Sequence, residues 1–316
     1  MATTTTGMIM AMITGTTMAM ITTIRATTMR TITAIRIPIP MATITTTRIT
    51  STITATSMTT DRRRIALSAG LIGLVLAFPA SAGSDPTRDV LWMALKTCVL
   101  AKTLANRTFP CLAVDLGDKE RPGTAVLRAP GEPTHIVVMP TDTVSGLESA
   151  PLRSPRGVAY WKAALSARHF VVDSLKNRVP EADIGLAVNS ARGRSQDQLH
   201  IHLDCLRPKV LDALDAHGRA VGKAWAPFPV PLAYDRFHAM RVRAADVETF
   251  NPFAAITTLP GRRDLTRTTF AAVSTRPGDP EPGLILLAYR GRQASAEDIM
   301  DHGCAIAEQR RARPAG

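Results

Sequence analysis

Apolar and polar residues alternate along one segment of the chain, from Gln196 to Asp204. Its apolar positions are Leu199, Ile201 and Leu203. A period of two residues is typical of a half-buried β-strand, whose side chains point alternately to its two faces. The pattern therefore predicts that His200, His202 and Asp204 project from one face of a strand. Two imidazoles beside a carboxylate can supply a nucleophile and a proton carrier near neutral pH, so this face is the first candidate site.

The remaining hydrophobic pattern predicts further elements downstream of residue 85. Helices are expected near Leu91–Cys98 and at Arg156–Lys176, Val210–Ala224 and Ser295–Ala307. Strands are expected at Thr124–Leu127, His135–Met139, Ile184–Val188, His238–Arg243, Thr269–Ser274 and Leu284–Tyr289. Strands interspersed with helices and joined by hairpins predict an α+β fold with an antiparallel sheet. The chain from residue 83 to residue 316 has the length of one large domain or of two fused halves.

The first 60 residues have a composition that does not build a core. They contain 23 Thr, 9 of the 13 Met of the chain and four charges, all of them Arg. Because they show no helical or strand period, burial would not offset the entropy lost on ordering. We predict that residues 1–60 are disordered or lie upstream of the true start. An alternative is a β-prone, aggregating segment.

Residues 61–82 combine the parts of an export signal. Arginines at 62–64 precede an apolar run from Ile65 to Phe78, and an Ala-Ser-Ala exit ends at Ala82. This order predicts a signal peptide cleaved after Ala82. The run is shorter than the roughly 20 residues that span a bilayer comfortably, and a retained signal anchor is the alternative. Residues 83–316 are therefore expected to be an exported domain.

The net charge of the exported part favours anionic ligands. Of the formal +12, residues 1–60 carry +4 and residues 61–82 carry +2, which leaves +6 for residues 83–316. A modestly basic domain suits an anionic substrate or an anionic membrane surface. Nucleic acid is not expected as a partner, because no stretch interleaves basic and aromatic residues as a stacking surface requires.

Four cysteines follow the export segment: Cys98, Cys111, Cys205 and Cys304. An even number in an exported chain predicts disulfides, and four cysteines allow three pairings. Proximity in sequence favours Cys98–Cys111, which leaves Cys205–Cys304 to join the histidine strand to the C-terminal helix. Free buried thiols are the alternative. No two cysteines have the close spacing of a zinc site.

Fixed intervals surround the histidine strand. A predicted strand ends at Asn189, which precedes His202 by thirteen positions, and Gln196 precedes His200 by four. The strand before it ends at Pro140. In these intervals the chain resembles the histidine-triad superfamily. The resemblance implies a HIT-like antiparallel sheet with flanking helices.

An ordered set of motifs makes the resemblance more specific. Segments 192–196, 200–202, 205–208 and 301–304 read Arg-Gly-Arg-Ser-Gln, His-Ile-His, Cys-Leu-Arg-Pro and Asp-His-Gly-Cys. In this set, over residues 91–307, the chain is similar to bacterial CDP-diacylglycerol pyrophosphatases. The resemblance implies hydrolysis of CDP-diacylglycerol to CMP and phosphatidate, without a cofactor or metal. It also implies a location in the periplasm or on the periplasmic face of the inner membrane.

The resemblance assigns the catalytic residues. The middle histidine of the triad attacks the phosphorus bonded to cytidine and forms a covalent nucleotidyl-histidine. The intervals from Asn189 and Gln196 make His202 this nucleophile, and His200 and Asn189 orient it and the phosphate. An alternative reading starts the triad at Gln198 and makes His200 the nucleophile.

Five residues are expected to bind the substrate: Gln196, Ser195, Arg192, Arg194 and Asp204. Gln196 or Ser195 donates to phosphoryl oxygens, and Arg192 and Arg194 neutralise the transferring group. The alternative for both arginines is a solvated hairpin tip. Asp204 departs from the superfamily pattern because it stands where the third histidine belongs. A carboxylate there can still orient a neighbouring imidazole.

Other interpretations use the same residues differently. His200, His202 and Asp204 resemble the start of a metal-dependent phosphoesterase site, although Cys205 follows where a further histidine is typical. A non-catalytic periplasmic module that binds nucleotide or lipid is a second alternative, and a nucleotidyl transferase is a third. His135 and His302 are expected to have packing or capping roles, with His302 the first exception because of its C-terminal motif.

Overall fold

The computed structural model describes residues 86–312 of the chain. The predicted low-complexity segment 1–60 and the predicted export segment 61–82 lie outside the described residues. Everything described belongs to one unit of the chain. Within it, no helix combines the length and the apolar character needed to cross a bilayer.

A nine-stranded open sheet dominates the part of the chain that the structure describes. Its strands are β1 (Ala113–Gly117), β2 (Pro122–Arg128), β3 (Ile136–Pro140), β4 (Ile184–Val188), β5 (Ile201–Cys205), β6 (Ala226–Pro227), β7 (His238–Arg243), β8 (Thr268–Ser274) and β9 (Gly283–Arg290). The order across the sheet is β1-β2-β3-β5-β4-β8-β9-β7-β6, and each neighbouring pair is antiparallel. The predicted α+β fold with an antiparallel sheet is confirmed.

Six α-helices accompany the described sheet: α1 (Val90–Ala105), α2 (Pro155–Ser166), α3 (Arg168–Ser174), α4 (Pro208–His217), α5 (Pro252–Ala255) and α6 (Ala305–Ala312). The single helix predicted at Arg156–Lys176 is two helices, which meet at Ala167. The first begins where predicted because the Ser154 side chain accepts the backbone N–H of Arg156, with proline at the first helical position.

The helix predicted at Ser295–Ala307 is wrong. The chain instead forms a 3₁₀ helix at Ala296–Ile299, a turn, and then α6. Cys304 has a left-handed φ of 47° and is bonded to Cys205, so a cross-link holds the turn before α6. This break positions residues 297–302 beside the sheet.

Both faces of the central strands are covered. One face packs on α1 through Leu95, Cys98, Ala125, Val137 and Met139. On the other face Trp161 of α2 meets Phe270 of β8, with ring centroids 5.9 Å apart. Burial on both sides explains why β4 is apolar throughout rather than alternating, since all five of its residues are buried.

The histidine strand occupies the interior of the sheet. β5 lies between β3 and β4, and His202 pairs with Val137 on one side and Ala187 on the other. Since paired residues share a face, His202 lies on the side that α1 covers. The strand is shorter than predicted, because β5 begins at Ile201 and His200 immediately precedes it.

Two disulfides connect the described cysteines with the predicted pairing, Cys98–Cys111 and Cys205–Cys304. The first joins α1 to the segment before β1. The second joins the end of β5 to the turn before α6, across a sequence separation of 99 residues, against 13 for the first. A cross-link that closes the longer loop removes more entropy from the unfolded chain.

We expect the two cross-links to differ in their effect on stability. Replacing Cys205 and Cys304 together by Ala should lower the free energy of unfolding by up to about 5 kcal/mol, and replacing Cys98 and Cys111 by about 3 kcal/mol. Denaturant unfolding of both double variants and the parent protein measures this order. An unchanged unfolding midpoint after either replacement would contradict it.

Candidate active site

Seven side chains from separate parts of the chain form a contact network that includes His202, and we call them the histidine cluster. They are Glu132, His135, Asn189, His202, Asp204, Glu297 and His302. The strand β5 supplies two of them, and the residues flanking β3 and β4 supply three. The 3₁₀ helix Ala296–Ile299 and the turn after it supply the remaining two. The sheet order brings these segments together because β5 lies directly between β3 and β4.

The Nδ1 atom of His202 has two close partners. It lies 3.0 Å from Oε1 of Glu297 and 2.9 Å from Nε2 of His135. A carboxylate only accepts hydrogen bonds, which assigns the proton of His202 to Nδ1. His135 uses its own Nδ1–H for the Glu132 carboxylate, so its Nε2 is a second acceptor. In the neutral ring the lone pair therefore lies on Nε2 of His202. A neutral imidazole nitrogen with a lone pair can attack an electrophile.

Asn189 lies beside this lone pair. Its Nδ2 is 3.5 Å from Nε2 of His202 and donates to Oε2 of Glu297 at 2.7 Å. Its Oδ1 accepts the backbone N–H of Glu297 at 3.3 Å. Glu297 thus fixes the amide through both its side chain and its backbone, and the amide lies on the Nε2 side of the His202 ring.

Glu297 remains ionised although it is largely buried. Burial favours its neutral form, but the interaction with His202 and the hydrogen bonds from His202, His302 and Asn189 outweigh this and hold the pKa of Glu297 well below its usual range. The histidine cluster therefore contains a fixed negative charge next to Nδ1 of His202. Such a charge stabilises an imidazolium when Nε2 forms a bond.

His302 adds a positive charge on the outer side of the cluster. Its Nδ1–H donates to Oδ2 of Asp204 at 2.8 Å, and its Nε2 lies 3.4 Å from Oε1 of Glu297. Hydrogen bonds to Asp204 and then to Glu297 raise the pKa of His302 to about 10, although burial opposes them. The ring also stacks on His135, with centroids 4.2 Å apart. Burial and the nearby His202 lower the pKa of His135, so the stacked pair consists of one charged ring and one neutral ring.

His200 has a different environment from His202. Its Nδ1–H donates to the backbone carbonyl of Gln198 at 2.7 Å. Burial, followed by the nearby His202, lowers the pKa of His200 to about 3. The amide of Gln198 is itself buried and bonds the backbone carbonyls of Pro140 and Asp142. His200 is thus a neutral, weakly basic ring within the polar support of the site.

The predicted substrate-binding loop carries one residue whose donors are already engaged. The Arg194 guanidinium forms two bonds with Glu148, at 2.7 and 3.1 Å, and also bonds Asp197. The Oε1 atom of Gln196 accepts the backbone N–H of Leu91 at the start of α1. Ser195 and Arg192 are exposed on the same loop. The loop therefore attaches to α1 on one side and presents polar side chains to solvent on the other.

Possible metal ligands group differently from the sequence-based alternative. Among the described residues, His202 lies in a three-ligand group with His135 and Glu297, whose donor atoms are all within 4.8 Å of one another. The carboxylate of Asp204 instead accepts hydrogen bonds from His302 and from the backbone N–H of Cys205. The predicted set of His200, His202 and Asp204 is not assembled as a ligand group in this part of the chain.

Sequence reasoning did not single out Glu297 or Glu132. For His135 it expected a packing or capping role, and the structure places its Nε2 2.9 Å from Nδ1 of His202. One available signal pointed to Glu297. The predicted Cys205–Cys304 disulfide brings the segment before Cys304 to the histidine strand, so the acidic residues of that segment were candidates.

The fold and the cluster define a class of protein, an α+β protein with a buried cluster of imidazoles supported by carboxylates. Comparison with known proteins agrees: residues 86–308 match the family model described as CDP-diacylglycerol pyrophosphatase. The chain belongs to the CDP-diacylglycerol pyrophosphatase family, which is a family of hydrolases.

The match with individual relatives covers most of the length of each relative. The CDP-diacylglycerol pyrophosphatase of Yersinia pestis is 32% identical over 69% of this chain and 84% of its own length. The probable CDP-diacylglycerol pyrophosphatase of Mycobacterium leprae is 32% identical over 73% and 85%. The CDP-diacylglycerol pyrophosphatase of Mycobacterium bovis is 30% identical over 79% and 99%.

We expect the imidazole of His302 to stay protonated at pH 8, where a histidine in an unfolded chain is neutral. Because its folded-state pKa is raised to about 10, its stabilising charge is present in full below about pH 6.5 and is lost as the pH rises towards 10. Asp204→Asn removes the strongest hydrogen-bond acceptor of His302 and should lower the titration midpoint of His302 by at least about one pH unit. Imidazole ¹⁵N shifts followed against pH measure both midpoints. A parent midpoint near 6.5 would show that the Asp204 contact is absent in solution.

Proposed function

We propose that this protein hydrolyses CDP-diacylglycerol to CMP and phosphatidate through a covalent cytidylyl intermediate on His202. Family membership supports the substrate, because the relatives carry this activity in their names. The observation that carries the choice of nucleophile is the arrangement at His202. Its Nδ1 faces Glu297 at 3.0 Å, and the Nε2 lone pair lies beside Asn189.

The surroundings of the two rings separate His202 from His200. Both rings hold their Nδ1 proton against an acceptor, so both present Nε2 as a lone pair. The pKa of His200 is lowered to about 3, which makes it a poor base and correspondingly a poor nucleophile. His202 has a carboxylate against its Nδ1, which strengthens the ring as a nucleophile and stabilises the cation that it becomes.

The reaction has two displacement steps. The Nε2 lone pair of His202 forms an N–P bond with the phosphorus that bears cytidine, and the bridging P–O bond breaks with its electrons going to phosphatidate. Water then attacks the same phosphorus, the N–P bond breaks with its electrons returning to Nε2, and CMP leaves with the water oxygen. Phosphatidate departs as a stabilised phosphate anion, so the first step does not demand a strong acid.

The other predicted residues support these steps in different ways. Asn189 donates to a phosphoryl oxygen near Nε2, and the exposed Arg192 and Ser195, with Gln196, bind the phosphates. Arg194 positions the loop through Glu148 rather than meeting the substrate, since its donors are engaged. Asp204 positions His302, whose charge balances that of Glu297.

The sheet order supports a HIT-like architecture. Its superfamily-like strands, one ending at Pro140, one leading to Asn189 and one carrying His202, are direct neighbours as β3, β4 and β5. The strands β8, β9 and β7 continue the sheet from β4 in a second antiparallel series. We propose that this series is the second of two fused halves.

A location outside the reducing cytosol suits the proposed substrate. Two disulfides within the described chain are compatible with export. The lipid substrate resides in a membrane, and the basic exported domain is expected to approach an anionic bilayer surface. We propose that the protein acts in the periplasm or at the periplasmic face of the inner membrane.

Trapping the intermediate tests the nucleophile. The purified full-length chain is mixed with CDP-diacylglycerol labelled at the cytidylyl phosphorus, quenched, and examined for a protein-bound label and released CMP. His202→Asn should abolish both the label and the CMP, while His200→Asn should keep the label. The reverse pattern would transfer the role to His200, and release of CMP by His202→Asn would reject a covalent route through His202.

Replacing Glu297 tests the support of the nucleophile. Glu297→Gln keeps the shape but removes the negative charge at Nδ1 of His202, so kcat should fall between about 10²- and 10⁴-fold with KM nearly unchanged. Glu248→Gln is the matched control, because Glu248 is exposed and pairs with Lys162. Equal activity of both variants would exclude Glu297 from this role.

Chelation and binding separate the remaining alternatives. Activity that persists in EDTA disfavours the metal-dependent phosphoesterase. Binding of CDP-diacylglycerol without release of CMP, unchanged in His202→Asn, favours the non-catalytic module. A cytidylyl adduct that is discharged only when an alcohol or phosphate acceptor is added favours a transferase over a hydrolase.

A further inference from the structure

Three atoms in the histidine cluster form a small triangle of metal-binding type. The distance between Nε2 of His135 and Nδ1 of His202 is 2.9 Å. Oε1 of Glu297 lies 3.0 Å from the His202 atom and 3.5 Å from the His135 atom. His135 directly precedes β3, His202 lies in β5, and Glu297 lies in the 3₁₀ helix Ala296–Ile299. The sheet and the 3₁₀ helix together therefore assemble the triangle.

The triangle has nearly the size of one face of a zinc coordination sphere. Zinc holds nitrogen and oxygen ligands at roughly 2.0–2.2 Å, which places the ligands of a tetrahedral site about 3.3–3.6 Å apart. The observed separations of 2.9, 3.0 and 3.5 Å approach this range, and rotation of the side chains by a few tenths of an ångström reaches it. Two imidazoles and one carboxylate are also a ligand set that zinc uses with its fourth position open.

The surroundings orient these ligands as a metal site requires. Histidine ligands commonly donate their second N–H to a carboxylate, and the Nδ1–H of His135 does so to Glu132. The second oxygen of the Glu297 carboxylate accepts from Nδ2 of Asn189 at 2.7 Å. Both bonds leave the metal-facing atoms, Nε2 of His135 and Oε1 of Glu297, directed at Nδ1 of His202.

We propose that a divalent transition-metal ion such as Zn²⁺ binds His135, His202 and Glu297 and thereby inhibits the enzyme. This inhibition rests on the proposed nucleophilic role of His202. A neutral imidazole has one proton and one lone pair. When the metal takes the lone pair at Nδ1, the proton resides on Nε2, and Nε2 has no electron pair to donate to phosphorus.

The same chemistry predicts which cations inhibit. Imidazole ligands favour zinc, copper and nickel, whereas magnesium prefers oxygen ligands in an octahedral arrangement. Zn²⁺ at micromolar concentration should therefore reduce the release of CMP by at least about tenfold, and millimolar Mg²⁺ should leave it unchanged. EDTA should restore the lost activity.

Binding is measured separately from activity. The purified metal-free full-length protein is titrated with ZnCl₂ in a calorimeter, and with Co²⁺, whose visible absorption reports a four-coordinate site. The expected result is about one ion per chain and an intense Co²⁺ spectrum. Absence of binding up to millimolar Zn²⁺ would overturn the proposal.

Two variants and one control locate the ion. His135→Gln removes a ligand and should abolish the Co²⁺ spectrum. Glu132→Gln removes only the outer hydrogen bond and should weaken binding about 10- to 100-fold, while thermal melts confirm that the variants are folded. His169→Ala is the control, because His169 is exposed on α3, and it should bind as the parent does. Unchanged binding by His135→Gln would place the ion elsewhere and overturn the site.

Failure of the inhibition and failure of the proposed function give different results. If the parent releases no CMP from CDP-diacylglycerol but binds the ion in a His135-dependent manner, the site stands and the proposed function fails. If CMP is released and zinc binds without reducing the rate, the inhibition is wrong and the function stands. If zinc increases the rate, the inhibition is wrong and the metal-dependent alternative is supported.

Discussion

The hydrogen bond between the Glu297 carboxylate and Nδ1 of His202 determines the chemistry of the site. It fixes the ring in one tautomer and leaves Nε2 free for bond formation. An imidazole without this partner would divide its proton between both nitrogens, and only part of the population would be competent. The negative charge also lies where positive charge develops when phosphorus bonds to Nε2. One contact thus serves both the ground state and the proposed covalent intermediate.

This contact imposes a cost on the fold, which the rest of the cluster offsets. A carboxylate removed from water loses hydration worth several kcal/mol unless it is paired and fully hydrogen-bonded. Glu297 has partners for both oxygens, from His202 and His302 on one and Asn189 on the other. His302 in turn needs Asp204, and His135 needs Glu132. Each carboxylate of the cluster thus has an imidazole partner, and removal of any member leaves a neighbour unsatisfied.

The sequence predicted the parts of this arrangement that depend on local pattern. The strand β4 has the bounds expected from its apolar run, and the alternation at residues 199–204 placed His202 and Asp204 on one face of a strand. Such features depend on a few neighbouring residues of the chain and can be predicted from them. The pairing of both disulfides was predicted from the spacing of the cysteines. His202 was singled out because its intervals from Asn189 and Gln196 resemble those of the histidine-triad superfamily.

The partners of His202 could not be found in the same way. Glu297 is 95 positions downstream, in a segment whose pattern favours a helix, and its contact arises only because the chain breaks there before α6. His135 looked like the start of an ordinary strand, and only the pairing of β3 with β5 shows that its ring reaches His202. Arg194 was expected to bind phosphate because its loop is basic. In the structure its guanidinium donates to Glu148, which lies 46 residues upstream. Long-range partners of this kind leave no periodic trace in the sequence.

The Cys205–Cys304 bond has a consequence for the neighbouring ion pair. Asp204 directly precedes one cysteine, and His302 lies two residues before the other, so the covalent link holds the two ends of a contact that spans 98 positions. Closing a loop of that length costs entropy whether a covalent bond or an ion pair closes it. Once the sulfurs are joined, the imidazolium meets its carboxylate at the high effective concentration of a tethered group. Oxidation of two thiols therefore helps to set the charge state of a ring in the histidine cluster.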